Sequence, residues 1–367
     1  MKKHRIVFLI NSLSSGGAER VLTTLANNFI KTYEVSIITF INTSPFYNLH
    51  KDIKVIPCFD EIKHSSNPLQ AIRGNYTLFK RINSIVKEND YDLLISFMTT
   101  ANVLGTGIGK LNRIPVIISE RTNPYHQKLS PFWQLLRRIS YRYSDILVVQ
   151  TETIRKFFNG KIDEKKLMIL PNPISNESTQ KRILNNWFEK KNIILSVGRL
   201  IPSKAHDMLI RAFAQTNHKG WELWIAGNGP EYDKLKKLIN ELKVADQVKL
   251  LGLVKDIPTL YNTSKIFAFS STYEGFPNAL IEAMHFGLAC VSTDCPTGPA
   301  DLIKDGENGF LVPMNDVKAM NEKLANLMEN PPKLEEFGKK SILTVQQYEE
   351  ECVAIQWKAI VERLIIK

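Results

Sequence analysis

The stretch SSTYEGFPNALIEAMHFG, residues 270–287, places two carboxylates, Glu274 and Glu282, eight positions apart around a Gly-Phe-Pro turn. The preceding IFAFSS reads as a buried strand, and residues 278–287 read as a helix with Leu280, Ile281 and Met284 on its apolar side. Glu274 then sits above the carboxyl end of a strand, where doubly wound sheets bind ligands, and Glu282 lies about one turn into the helix. Two carboxylates so placed can grip separate pairs of hydroxyls on one elongated ligand. A solvated helix face would account for Glu282, but not for a carboxylate beside Gly275, Phe276 and Pro277.

Cationic partners come from ILSVGRLIPSK, a strand followed by Gly198, Arg199 and Lys204. Two cations five residues apart at the carboxyl end of a strand can clamp a diphosphate from two sides. In WIAGNGPEYDKL, Gly227 opens a turn between strand and helix through which a ligand could approach the backbone, although Gly-Asn-Gly-Pro is equally a good turn by itself. Near the start, Gly16 and Gly17 open a helix carrying Val21, Leu22, Leu25 and Phe29, which suits a phosphate at a helix N-terminus. The spacing is not G-x-G-x-x-G, so the dinucleotide fingerprint is absent.

These loops need sheets to hold them. Apolar runs RIVFLI, EVSIITF, DIKVIP, DLLISF, PVIISE and DILVVQ alternate with amphipathic segments, and the pattern restarts with NIILSVG, WELWIAG, QVKLLG, KIFAFSS and LACVSTD. Continuous apolar strands separated by helices indicate parallel sheets buried on both faces. At 367 residues and 44% hydrophobic composition, the chain is expected to form two such α/β domains. The expected boundaries are 1–175, 176–347, and a terminal helix over 348–367 that carries Val353, Trp357, Ile360 and Leu364 on one side. Residues 171–192, rich in Pro, Asn and Ser, read as the linker.

Charge is uneven. Residues 1–175 hold 24 Lys and Arg against 13 Asp and Glu, and so carry the whole net charge of +11. Whatever anion this charge meets, the first half meets it. No RNP-like motif, zinc finger or basic-region helix accompanies the charge, which excludes nucleic acid. Cys58, Cys290, Cys295 and Cys352 are scattered without a secretory signal, so they are read as free thiols of a reducing cytoplasm with no metal site. No window reaches the roughly 18 apolar residues of a membrane span, leaving a soluble or peripheral protein.

Taken together, SGGAER, PNP, GRLIPSK, AGNGPE, the two glutamates of residues 274–282, DCPTGPADLI and DGENGFLVP resemble the retaining family 4 glycosyltransferases of the GT-B fold. Within that family the chain looks most like bacterial enzymes that extend polyprenyl-diphosphate-linked oligosaccharides. The resemblance implies two Rossmann-like domains facing across a cleft, with the C-terminal helix returning to the first. It implies that Arg199 and Lys204 bind the diphosphate of a UDP-sugar, that Glu282 holds the ribose and that Glu274 holds the transferred sugar. The backbone of Gly275, Phe276, Pro277, Asn278 and Ala279 would approach the sugar and β-phosphate, Gly17 would line the opposite wall, and GLVKDI would meet the nucleobase. Many relatives carry a histidine directly after the glutamate in ISERTNPYH. Here Arg121 stands there, so Glu120 or Arg121 takes that place, with His126 a weaker candidate. Asp90, Tyr91 and Asp92 mimic the metal motif of the other glycosyltransferase fold, but precede a strand at the end opposite the expected site.

The resemblance further implies a front-face retaining transfer that needs no metal and no cofactor besides the donor. A lipid-linked saccharide acceptor and an anionic membrane surface are the expected partners, on the inner face of the cytoplasmic membrane. Arg73, Lys80 and Arg81 accompany an apolar stripe of Ile72, Phe79, Ile82 and Val86; Trp133 with Phe132, Leu135 and Leu136 is interleaved with Arg137, Arg138 and Arg142. Three alternatives use the same residues differently: a UDP-sugar 2-epimerase, a catalytically silent nucleotide-sugar-binding subunit, and an NAD-dependent reductase, the last disfavoured by the missing fingerprint.

Overall fold

The computed structural model describes residues 3–61, 68–125, 127–183, 189–217 and 219–365. The chain divides into two compact units, Met1–Pro173 with Glu350–Lys367, and Ile174–Glu349, rather than at 175/176 and 347/348.

The first unit is built on parallel strands β1 (Arg5–Ile10), β2 (Glu34–Ile41), β3 (Lys54–Phe59), β4 (Leu93–Phe97), β5 (Val116–Ser119), β6 (Ile146–Val149) and β7 (Leu167–Ile169), in the order β3-β2-β1-β4-β5-β6-β7. Their side chains alternate between two dry layers, which is why the strands are apolar at nearly every position. Val7, Leu9 and Leu94 pack under Ile82 and Ile108 on one face. Ile6, Phe8 and Ile95 pack under Leu25, Phe29 and Trp357 on the other. The terminal helix Glu350–Ile365 therefore belongs to this unit, anchored by the fully buried Trp357 stacked on Phe97 with ring centroids 6.1 Å apart.

The second unit repeats the plan with β8 (Lys191–Val197), β9 (Glu222–Ala226), β10 (Val248–Gly252), β11 (Ser264–Phe269), β12 (Ala289–Thr293) and β13 (Phe310–Val312), in the order β10-β9-β8-β11-β12-β13. In each sheet the first strand is flanked by the second and the fourth. Successive crossovers leave it in opposite directions there, and the loops after β1 and β4, or after β8 and β11, splay apart at the carboxyl ends. That crevice is where such sheets bind ligands.

The expected linker is in part a working piece of the second unit. Ile174 is 1% exposed and bridges Glu349, Ser175 caps the helix Asn176–Lys181, and Arg182 reaches His285. Ser175 serves a cap and Asn172 accepts from Arg121 and Gln150, so Asn and Ser here do structural work although their composition is also that of flexible linkers.

Candidate active site

In the second unit the loop after β8 and the loop after β11 are fastened together. Thr272 donates its N–H to Ser203 O at 2.8 Å, and the Ser270 hydroxyl donates to Lys204 O at 2.7 Å. Lys204 closes the short 3₁₀ turn Pro202–Lys204, after which Ala205 takes a left-handed φ of +44° and the helix His206–Ala214 begins. The consequence is an ion pair: Lys204 Nζ lies 2.5 Å from Glu274 Oε1, with the two side chains 19% and 12% exposed. Phe269 sits beneath the ammonium, its ring centroid 5.5 Å away. Beside them, burial and the Lys204 charge pull the His206 imidazole down to about 4, so it stays neutral and adds no charge of its own near neutral pH.

On the other side the loop after β12 supports the Glu274 loop. Thr297 donates its hydroxyl to Glu274 O, and a Cβ added to Gly298 would stand 2.4 Å from Pro277 Cδ. Residues 274–277 are thus gripped from both neighbours and lead into the helix Asn278–His285, which has no acidic residue in its first turn. Glu282 is 7% exposed and accepts a hydrogen bond from the Tyr261 hydroxyl at 3.2 Å. It is not a solvated helix face. Asn278 and Ala279 open that helix, and Phe276 meets Tyr348 edge-on with centroids 6.2 Å apart.

Gly198 and Arg199 follow β8, the arginine exposed. Gly227 has a packing reason of its own, because a Cβ there would lie 1.8 Å from Gly198 O; at Gly229 a Cβ would lie 2.3 Å from Leu200 O. The two glycines let the turn after β9 lie against the Arg199 turn, so the loop bearing the cation is held by backbone hydrogen bonds to residues 226 and 228 and by the buried Leu200 side chain.

The first unit carries its own carboxylate at the end of β5. Glu120 is fully buried. Its Oε2 accepts from the Tyr141 hydroxyl at 2.7 Å and from Thr99 at 3.2 Å, and its Oε1 from the N–H groups of Arg121 at 3.2 Å and Thr122 at 3.3 Å. Burial raises its pKa against the pull of these donors. The network runs outward: Gln127 donates to Thr99 at 2.9 Å, and Arg137 donates to Gln127 at 2.9 Å. Arg121 is 8% exposed, donates to Asn172, and lies over the rings of Phe97 and Trp357 at 5.0 and 5.8 Å. Burial lowers its pKa to about 9, with Glu120 opposing. His126 falls outside the described residues. Gly17 stands at the first position of the helix Gly17–Phe29. Asp92 binds the Arg5 N–H at 2.7 Å, at the amino ends of β1 and β4.

Arg73, Lys80 and Arg81 lie on the helix Pro68–Asn89, whose Ile82 and Val86 are core residues while Ile72 stays exposed. On the helix Pro131–Tyr143, Trp133 and Leu136 turn toward the core instead of outward. Arg138 is exposed and Arg137 half-buried.

Two family models match in tandem, Glycosyltransferase Family 4 over residues 15–178 and Glycosyl transferases group 1 over residues 177–343. A Campylobacter jejuni alpha-1,4-N-acetyl-D-galactosaminyltransferase, named for a substrate carried on undecaprenol, is 32% identical over 352 residues, covering 94% of this chain and 93% of the relative. The chain belongs to the family 4 glycosyltransferases. A second C. jejuni N-acetylgalactosaminyltransferase, named for a diphospho-undecaprenol substrate, is 30% identical over 335 residues, 89% of this chain and 90% of the relative. The fold is that of the Anabaena HepE protein solved with UDP, at a TM-score of 0.82, 20% identity, and coverage of 99% and 100%. Sequence reading did not single out Tyr261 or Thr297, the side chains that bond Glu282 and the Glu274 loop. Each acts across the fold, Tyr261 on Glu282 and Thr297 on Glu274, and no local pattern announces either.

Proposed function

We propose that this glycosyltransferase moves a hexose or N-acetylhexosamine from a UDP-sugar, with retained configuration, onto a saccharide carried on polyprenyl diphosphate during bacterial surface polysaccharide or glycan assembly. The reading rests above all on the Lys204–Glu274 pair at the switch point of the second sheet, with Glu282 behind it. Lys204 and Arg199 meet the diphosphate, whose charge grows as the bond from the anomeric carbon to the phosphate oxygen breaks. Two cations aimed there can supply this stabilisation without a metal. Glu282 takes the ribose hydroxyls and Glu274 the hydroxyls of the sugar, its tie to Thr297 fixing the tip of the loop. The acceptor oxygen forms the new bond on the face the phosphate leaves, and its proton passes to the departing phosphate oxygen. The backbone of residues 275–279 and the helix dipole behind it hold the β-phosphate side.

The second unit thus binds the donor, and the first, with its excess of basic residues, receives the lipid-linked acceptor at an anionic membrane on the cytoplasmic side. Among the described residues no helix is long and apolar enough to cross a membrane. Incubating the protein with a panel of UDP-sugars and a polyprenyl-diphosphate saccharide, followed by mass spectrometry of the lipid fraction, tests the reading. One sugar added, with UDP released only when acceptor is present and in EDTA as well as without it, is the expected result. UDP-sugar consumed without acceptor would point instead to the epimerase, and complete loss in EDTA, restored by Mg²⁺, would remove the metal-free step.

A further inference from the structure

The helix Pro131–Tyr143 is apolar on the side that faces away from the core. Its Tyr141 is buried, whereas its Phe132, Leu135, Ile139 and Tyr143 are 50%, 55%, 48% and 60% exposed. Their spacing of three, four and four residues puts them on one line of the helix, roughly opposite Tyr141. A surface helix of a globular domain normally shows water its charged side. Here the charged residues stand at the flank instead, around a groove of about 550 Å³ between this helix and residues 157–162.

Arg137, Arg138, Arg142 and Lys161 line that groove with Leu135 and Phe157, and no carboxylate does. Asp163 and Glu164 border an adjoining depression, yet neither makes an ion pair with these cations among the described residues; the Asp163 carboxylate accepts from the Lys165 N–H at 3.0 Å. Arg137 is committed to Gln127, Arg142 donates its Nε to Lys161 O at 3.2 Å, and Lys161 rests over the Phe157 ring at 3.7 Å. Four cations therefore share one groove whose lining holds no opposite charge, although the buried Glu120 behind it acts on Arg137. The Lys161 ammonium registers the crowding, its pKa lowered first by burial and then by Arg137 and Arg138.

We propose that this groove seats the phosphate headgroup of an anionic phospholipid while Phe132, Leu135, Ile139 and Tyr143 enter the interfacial layer of the bilayer. Charge complementarity selects a phosphate, which guanidinium groups bind in bidentate fashion. The adjoining apolar stripe selects a lipid over a soluble anion, because it reaches the acyl boundary only when the headgroup plane is level with the cations. Ile72 and Tyr76, 54% and 58% exposed, with Arg73 and Lys80 on the same helix, repeat the same mixture. The inference deepens the reading of a lipid-linked acceptor by naming the surface that meets the membrane, and it does not depend on the donor chemistry.

Co-sedimentation of the full chain with phosphatidylcholine vesicles, with and without about 30% phosphatidylglycerol, tests it. At about 1 kcal/mol per basic residue near an anionic surface, three such cations predict a partition coefficient on the order of 100-fold higher for the anionic vesicles, weakening with salt. Arg138→Gln, Arg142→Gln and Lys161→Gln together should abolish that preference, and Phe132→Ser with Ile139→Ser should weaken binding to both vesicles. Unchanged circular dichroism and UDP affinity establish that each variant is folded. Equal binding to the two vesicle types, or wild-type preference in the triple variant, overturns the proposal. So does inorganic phosphate at millimolar concentration displacing the protein from anionic vesicles at constant ionic strength, which would mark a site for soluble phosphate. Transfer to a short-chain, water-soluble acceptor is read separately: its failure strikes the glycosyltransferase reading and leaves the docking surface standing.

Discussion

Each unit carries a glutamate beyond the carboxyl end of an interior strand, and the two glutamates are treated in opposite ways. Glu274 follows β11, keeps part of its carboxylate accessible and is matched with a lysine from the neighbouring loop. Glu120 follows β5, is wholly buried, and accepts four hydrogen bonds from its own unit. Position at the carboxyl end of a parallel sheet nominates both. What separates them is the partner: Tyr141 and Thr99 consume one oxygen of Glu120 and two backbone N–H groups the other, whereas Glu274 faces the Lys204 ammonium. Glu120 therefore ties residues 121 and 122 to Tyr141 and Thr99, and on the proposed reading Glu274 is the carboxylate that meets the ligand.

The sharpest break of this contrast is kinetic. Replacing Lys204 or Glu274 by Ala should lower turnover by about 10²- to 10³-fold, the usual cost of deleting one preorganised charge partner of a transition state. Glu282→Ala should instead act mostly on the apparent affinity for the donor, because a ribose contact is made equally in ground and transition states. Steady-state kinetics in the UDP-sugar read both. Unchanged parameters for all three would remove the site from the second unit.

For Glu120 the expected loss is in stability. Glu120→Ala strands the Tyr141 and Thr99 hydroxyls and two N–H groups in a dry interior, at a cost of about 3 kcal/mol or more. The variant should melt earlier by several degrees, while Glu274→Ala melts close to wild type. Were the melting temperatures to fall in the reverse order, the assignment of scaffold and ligand-facing carboxylates would be exchanged.

Acid should separate the units next. In the second unit, burial together with Lys204 holds His206 at about 4, and burial together with Arg182 holds His285 at about 4, both from 6.5. His285 faces Arg182 at 3.0 Å, Thr179 at 3.2 Å and Glu349 at 3.7 Å. The unfolded chain binds protons at these sites that the folded one refuses, so their stabilisation is complete above pH 6.5 and is lost as pH falls toward 4. Glu120 has the opposite sign. Its folded pKa is raised, so the folded state holds the extra proton and the first unit gains as pH falls toward the ordinary carboxylate range. By pH 5 the two histidines should cost the second unit roughly 2 to 4 kcal/mol. Hydrogen exchange at pH 7 and pH 5 should show protection falling first in strands β8 to β12, and an earlier loss in β1 to β6 would contradict both signs.

Eleven strands were legible because each is at least four residues long and largely apolar, and all but the half-buried β3 and β10 are largely dry on both faces. Missing were β7 and β13, three residues each at the sheet edges, too short to carry a period. Lys204, Glu274 and Glu282 were legible since each sits in a short motif that joins a strand end to a helix start. Glu120 was not sorted from Glu274, because its fate depends on Tyr141 and Thr99, 21 positions away in either direction. The same limit misassigned Trp133 and Leu136: alternation of aromatic and basic residues showed an amphipathic helix, and only packing shows which of its sides is dry.

A smaller effect concerns backbone strain, which both units store beside the residues compared above. In the second it is Thr297, a β-branched residue at φ +75° whose hydroxyl holds the Glu274 loop. In the first it is Met98, at φ +78° and ψ 150°, between the last residue of β4 and the helix Thr99–Asn112 whose first residue binds Glu120. That conformation is nearly confined to glycine, and for methionine it costs on the order of 1–3 kcal/mol. Met98 N–H donates to Ser119 O at 3.2 Å and its carbonyl accepts from Asn102 at 2.8 Å, so the kink brings β5 and the helix start into register around Glu120. Met98→Gly should keep both bonds and relieve the strain, less about 0.5–1 kcal/mol for the extra freedom of glycine in the unfolded chain, leaving a net gain of about 1 kcal/mol. Thr297→Gly, by contrast, also loses the tie to Glu274 and should lower turnover. A chemical-denaturation midpoint that rises for Met98→Gly, with turnover unchanged, would show the first unit's strain to be structural; a midpoint that falls by as much would mean that the Met98 side chain, and not its backbone, holds the loop.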